Sequence, residues 1–225
     1  MHRLKFIQRE QQAENIFAHT FAVSEPVEWT AGQSIRLEVD GIYGPEERRF
    51  TISSAPFQKV ITIVTRMSDS IFKQALARLH VGDEVRGYDI KGNFVWPDHK
   101  GPLLFLASGM GITPYYSMLQ QRIHAQLAPQ VTLVHAARKG ELLFAKQFRE
   151  WAHHQPSFRY VALEGERLTA ATVATQFPEF LQGSIFLSGP GAMVREVATE
   201  LREAYHLAEG QLHQDQFTGR LLRDD

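Results

Sequence analysis

The stretch Leu103-Leu104-Phe105-Leu106-Ala107-Ser108-Gly109-Met110-Gly111-Ile112-Thr113-Pro114 decides how the chain is read. A continuous apolar run ends in small residues and two glycines, and a helical pattern follows. This is the order of a buried strand, a tight turn and a helix start. Glycine at 109 and 111 lets a backbone come close to a ligand, while Thr113 and Pro114 suit a helix N-terminus, whose free amides and dipole attract phosphate. The stretch predicts either a phosphate-bearing cofactor or a plain glycine corner between strand and helix. The usual dinucleotide pattern has a third glycine where Pro114 stands, and an acid about 20 residues on, where this chain has His135-Ala136-Ala137-Arg138.

Downstream of this turn, apolar runs near 102–108, 131–136, 158–163 and 184–188 alternate with helical patterns near 113–126, 144–153, 169–177 and 191–205. Such alternation predicts a parallel sheet with helices on both faces. Upstream, residues 3–8, 15–23, 34–40, 48–54, 59–66 and 84–89 read as short strands between turn signals such as Ala31-Gly32 and Gly82-Asp83. One helix interrupts them: Ile71, Ala75, Leu76 and Leu79 follow the capping types Ser68, Asp69 and Ser70. Six strands and a short helix predict a compact antiparallel barrel. The character changes across Gly92–Gly101, so the expected boundary lies near residue 98, with a barrel over 1–98 and an α/β domain over 99–225.

Composition narrows the chemistry. The chain is 44% hydrophobic and 22% charged, with a formal net charge of −1 and no block of like charge. An electrostatic footprint for nucleic acid is absent, which disfavours that role. No cysteine occurs, so disulfides, thiolate nucleophiles and cysteine-held iron–sulfur clusters are excluded within this sequence, and redox chemistry needs a bound organic cofactor. The ten histidines form no metal motif, and no G-x-S-x-G elbow is present. Met1-His2-Arg3-Leu4-Lys5 lacks the apolar core of a signal peptide and no run reaches membrane-span length, so the expected location is cytoplasmic.

In the barrel half, Arg48-Arg49-Phe50-Thr51-Ile52-Ser53-Ser54-Ala55-Pro56 joins a fixed cation, an aromatic plane and hydroxyls on one strand. Such a set suits a phosphate and a flat ring, and alternation puts Arg48 and Phe50 on one face. A solvated edge strand is the competing reading.

Arg48-Arg49-Phe50-Thr51 resembles the R-x-[YF]-[ST] motif of the ferredoxin–NADP⁺ reductase family, and Gly109–Pro114 resembles its G-x-G-x-T-P turn. Leu187-Ser188-Gly189-Pro190-Gly191-Ala192-Met193-Val194 resembles its C-G-P-x-x-M signature. The three occur in the family's order and span nearly the whole chain. The resemblance implies an FAD-binding barrel followed by an NAD(P)-binding domain. It assigns Arg48 to the FAD pyrophosphate, Phe50 to stacking on the flavin or its ribityl chain, and Thr51 to the neighbourhood of flavin N5. Thr65, Ser68 and Ser70 fall where the family contacts the FAD phosphates, and capping of the helix is compatible with that. Gly109, Gly111, Thr113 and Pro114 would form the dinucleotide phosphate turn. Gly189, Pro190 and Met193 would line the nicotinamide side, with Ser188 beside the reacting carbon in place of the usual cysteine. The end of the chain, Leu212 to Arg220, resembles the closing strand, with Phe217 either near the flavin or packed into the sheet. Arg138 suits the 2′-phosphate of NADPH, although NADH remains open because no second cation follows the 158–163 strand.

The resemblance implies hydride transfer from NADPH or NADH to FAD, with Thr51 and Ser188 aligning the reactants, and delivery of electrons to a separate acceptor. That acceptor would be a ferredoxin, a flavodoxin, an oxygenase component or a small molecule. Two alternatives stand beside it: a free flavin or ferric-chelate reductase, and a non-catalytic electron-transfer or nucleotide-binding subunit of a larger complex.

Overall fold

The computed structural model describes residues 1–98 and 101–217. His99 and Lys100, at the composition change, and Thr218, Gly219 and Arg220, at the end of the closing segment, lie outside the described residues.

Seven elements build the first half: β1 (His2–Ala13), β2 (Ile16–Val23), β3 (Ser34–Gly41), β4 (Gly44–Thr51), β5 (Val60–Arg66), α1 (Ile71–Arg78) and β6 (Glu84–Lys91). The strands form one antiparallel sheet in the order β4-β3-β6-β1-β2-β5. Its concave face carries the alternate apolar residues Leu4, Phe6, Phe21, Ile35, Leu37, Ile52, Ile61 and Ile63, which close over Phe72 and Leu76 of α1. The edge strands meet just beyond β4. There Ser53 N donates to Thr62 O at 2.8 Å, and the Ser54 hydroxyl donates to Val60 O at 2.7 Å while accepting from Thr62 N. The serines of the 48–56 stretch therefore shut the barrel instead of facing a ligand. β1 runs beyond the expected residue 8 to Ala13. Its register shifts between Phe6 and Gln8 and again between Gln11 and Ala13, which lets a polar extension stay paired with β2.

The second half contains β7 (Leu103–Ser108), α2 (Thr113–His124), β8 (Val131–Ala137), α3 (Ala145–His154), β9 (Phe158–Glu164), α4 (Ala170–Gln176), β10 (Ser184–Pro190), α5 (Gly191–Tyr205) and β11 (Leu212–Phe217). All pairings are parallel, in the order β11-β10-β7-β8-β9. Alternation in these strands serves two faces. Leu103, Phe105, Leu133 and Phe186 pack under α2 and α3, whereas Leu104, Leu106, Val134, Ile185 and Leu187 pack under α4 and α5. Cover on both faces explains why the three inner strands β10, β7 and β8 are buried almost throughout.

The two sheets share a core. Ile16, Ala18, Ala31 and Val64 from the barrel and Phe94 beyond β6 belong to the same buried cluster as Leu103, Phe105, Tyr115 and Met118. Among the described residues, no helix is long and apolar enough to cross a membrane.

Candidate functional site

The topology points to the carboxyl ends of β7 and β10. From β7 the chain crosses to β8 on one side while β10 lies on the other, and ligands of open α/β sheets bind at such a switch point. Both ends turn on glycine. After Ser108 the backbone makes a single 3₁₀ turn over Gly109–Ile112 and enters α2 at Thr113, with Pro114 buried in the first helical turn. The buried Thr113 hydroxyl donates to Met110 O at 2.9 Å, satisfying a carbonyl of that turn.

The two glycines have different causes. Gly109 sits at φ +55°, in the left-handed region, and a Cβ there would meet no atom within 4 Å. Its side is open for a ligand. Gly111 is buried, and a Cβ would lie 2.1 Å from Ser188 O and 2.4 Å from Ser188 C. It is glycine because the end of β10 passes against it, so for this position the expected ligand approach gives way to strand packing. Beneath the turn, the fully buried His135 ring bonds Gly109 O through Nε2 at 3.1 Å, and Tyr160 Oη lies 3.4 Å from Nδ1. Burial lowers the His135 pKa to about 4, so the ring is neutral near pH 7 and Nε2 carries the proton given to Gly109.

Ser188 has no exposed surface, and its hydroxyl donates to Asp215 Oδ2 at 3.0 Å. Asp215 is its register partner on β11, and burial raises that carboxyl pKa against the opposing effect of the serine bond. Gly189 follows, where a Cβ would meet Met193 Cε at 2.7 Å and Ser108 Cβ at 3.0 Å. Pro190 is exposed, caps α5 and pairs with the half-buried Phe217. Gly109, Gly111, Thr113, Pro114, Ser188, Gly189, Pro190, Met193 and Phe217 thus gather around two adjacent strand ends. Arg138 is exposed just past the end of β8, one strand away.

On the barrel, Arg48 and Phe50 share a face of β4 and also share a neighbour: the Phe50 and Phe72 rings lie 5.5 Å apart, and the Arg48 guanidinium is 5.9 Å from the Phe72 ring. Two further cations approach them. Lys73 Nζ donates to Arg66 O at 2.6 Å, and its pKa is lowered first by burial, then by the fields of Arg66 and Arg48. Ser70 caps α1 by accepting from Lys73 N, Ser68 is exposed, and the buried Thr65 hydroxyl is turned to Arg66 O. Arg48, Arg66 and Lys73 at a capped helix N-terminus, beside an aromatic face, form a donor set suited to a diphosphate joined to a flat ring. Thr51 is buried at the end of the same strand.

Sequence reasoning missed Arg66, Lys73 and Asp215, whose partners come from other elements. Glu141 accepts from Arg66 Nη2 at 2.6 Å and ties β5 to the loop after β8. Among the described residues no group of three His, Cys, Asp or Glu could hold a metal ion.

Residues 105–199 match the family model of the oxidoreductase NAD-binding domain. The chain is similar to proteins of the ferredoxin–NADP⁺ reductase family. The reductase subunit of a stachydrine N-demethylase from Rhizobium meliloti is 24% identical over 247 residues, covering 96% of this chain and 66% of that protein. Ferredoxin–NADP reductase B of Sorangium cellulosum is 29% identical over 134 residues, 58% of this chain and 55% of its own length. A Neisseria gonorrhoeae ferredoxin–NADP⁺ reductase structure, with bound FAD and NADP, shares the reductase-like fold with a TM-score of 0.79 at 20% identity, over 95% of this chain and 97% of that one. The chain spans from 34% to 66% of the lengths of the first curated relatives it matches.

Proposed function

We propose that this chain is an NAD(P)H oxidoreductase that binds FAD on the barrel, over residues 1–98, and the nicotinamide dinucleotide on the α/β domain, over 99–225. The observation that carries the reading is the convergence of Arg48, Arg66 and Lys73 beside Phe50, on a strand whose continuation is hydrogen-bonded to the helix that starts at the glycine turn. When bound, FAD accepts a hydride from the nicotinamide and returns electrons singly or in pairs.

The chain's own work is binding, orientation and exclusion of water. Arg48 and Lys73, with Ser68 and Ser70 at the α1 N-terminus, would hold the FAD diphosphate; Phe50 would flank its flat portion and Thr51 would meet the ring edge. Gly109 leaves room for the dinucleotide phosphates at the start of α2, with Thr113 and Pro114 shaping that start. Ser188 would act on orientation: held by Asp215, it fixes the end of β10, so that Gly189, Pro190 and Met193 present one constant wall to the nicotinamide, with Phe217 beside it. Arg138, exposed at the carboxyl end of β8, supports NADPH as the donor over NADH.

The electron acceptor we propose is a separate protein, an oxygenase component being favoured by the name of a Chromohalobacter salexigens relative, the reductase subunit of a glycine betaine monooxygenase. The cytoplasm, where NAD(P)H is kept reduced, is the proposed site of action. An absorption spectrum of the purified protein with added FAD, followed by anaerobic NADPH and NADH titrations, tests the reading. Bleaching of the flavin band by one nucleotide at much lower concentration supports it; a colourless protein that binds no added FAD overturns it.

A further inference from the structure

We infer that Ser117 and Gln120 are positioning residues that set the separation between the flavin strand and the dinucleotide turn, an inference resting on the reading proposed above. α2 begins at the glycine turn, and Thr113, Ser117, Gln120 and His124 recur along it at three- and four-residue spacing, so they form one stripe. That stripe faces the barrel. Ser117 is fully buried and its hydroxyl donates to Ser54 O at 2.7 Å. Gln120 Nε2 donates to Ser53 O at 3.1 Å, Phe57 N donates to Gln121 Oε1 at 3.3 Å, and the Phe57 and His124 rings stack with centroids 3.8 Å apart.

The barrel corner that receives these bonds has little freedom of its own. Ser53 and Ser54 are already tied to Thr62 and Val60 of β5 through main chain and hydroxyls. From Ser54 back to Thr51 is at most about 10 Å of extended chain. From Ser117 back to Thr113 is about 6 Å along the helix. Two hydrogen bonds therefore complete a short path between the strand end proposed to meet the flavin and the turn proposed to hold the nicotinamide dinucleotide. Hydride transfer needs the reacting atoms within roughly 3–3.5 Å, and a 1 Å misplacement lowers the rate on the order of 100-fold. A contact that only held the halves together would not need donors aimed at two successive carbonyls of the flavin strand's own continuation.

The wild-type FAD and NAD(P)H titration comes first, because a failure there removes the proposed function and is distinguishable from a failure of the positioning role. Gln120→Met keeps the side chain's size and loses the donor, Ser117→Ala loses the hydroxyl, and Gln120→Lys keeps a donor of similar reach. In ligand-free protein, hydrogen–deuterium exchange of the amides over 52–59 should speed up roughly tenfold in the first two variants, as the corner loses its anchor. In FAD-loaded protein, single-turnover bleaching by NAD(P)H should slow roughly tenfold, with FAD affinity and nucleotide KM within about twofold of wild type and recovery in Gln120→Lys. Faster exchange with an unchanged bleaching rate would mean a structural contact only and would overturn the inference. So would equal slowing in Gln120→Lys. If Ser117→Ala does not fold, the half-buried Gln120 decides the matter by itself.

Discussion

Replacing Gly111 with alanine separates two reasons for a glycine in this turn. If Gly111 served ligand approach, Gly111→Ala would leave the fold intact and weaken nucleotide binding. The structure predicts the opposite order. The new methyl would lie 2.1 Å from Ser188 O and 2.7 Å from Gly189 N, whereas ordinary contact begins near 3.4 Å. The β10 end and the turn would have to part by about 1.3 Å, the difference between 3.4 Å and 2.1 Å. Overpacking of this kind costs about 1–3 kcal/mol, and an obstacle made of backbone places it at the upper end. For a chain of this length each kcal/mol lowers the melting temperature by about 2–4 °C, so Gly111→Ala should melt roughly 6–12 °C below wild type. Gly109→Ala is the control. It has open space around its Cβ and meets only the left-handed strain of φ +55°, about 1 kcal/mol and roughly 2–4 °C. Its larger effect should be on nucleotide KM, since the methyl enters the open side of the turn. Calorimetric melting of the three proteins tests this. A Gly111→Ala melting temperature within about 2 °C of wild type, or above that of Gly109→Ala, would refute the packing account.

Three more outcomes rest on the same geometry. His19 and His135 are both buried, with pKa values lowered to about 4, chiefly by desolvation. Below about pH 6.5 the unfolded chain takes up protons that the folded one refuses, so stability should fall by about 1.4 kcal/mol per pH unit per histidine down to about pH 4 and then level off; urea unfolding at stepped pH measures the slope, and His135→Asn should reduce it. Lys73→Met removes one of three converging cations and should weaken FAD binding by about 10- to 100-fold in a flavin-fluorescence titration, whereas unchanged affinity would remove Lys73 from the diphosphate site. Arg138→Ala should raise the NADPH KM and leave NADH kinetics alone; an equal loss with both nucleotides would argue against a 2′-phosphate contact.

Periodicity made most of the architecture legible. The apolar runs at 103–108, 131–137, 158–164 and 184–190 needed both faces covered, and the alternating segments upstream needed one. What escaped had a physical reason in each case. The outer part of β1, Gln8-Arg9-Glu10-Gln11-Gln12, is solvated on both sides and carries no alternation to detect. β11 reads Leu-His-Gln-Asp-Gln-Phe, a mixed edge strand whose pattern is no stronger than that of a loop, and the resemblance alone pointed to it. Lys73, Arg66, Glu141, Ser117 and Gln120 carry their meaning through partners 7 to 75 residues away, and no local pattern contains those distances. Ser53 and Ser54 resemble ligand hydroxyls because motif reading does not show which hydroxyls a closing barrel will use.

The buried cluster that joins Ile16, Ala18, Ala31, Val64 and Phe94 to Leu103, Phe105, Tyr115 and Met118 sets a rule for recombining this chain with its relatives. A chimera cut between β6 and β7 would look natural on a sequence map, yet it would put half of one apolar surface from each parent against the other. Grafting a relative's nucleotide-binding half onto this barrel would succeed only if those five barrel-side residues travelled with it. Ser53 and Ser54, which meet α2 through main-chain carbonyls, would accept any partner whose helix keeps the two donors.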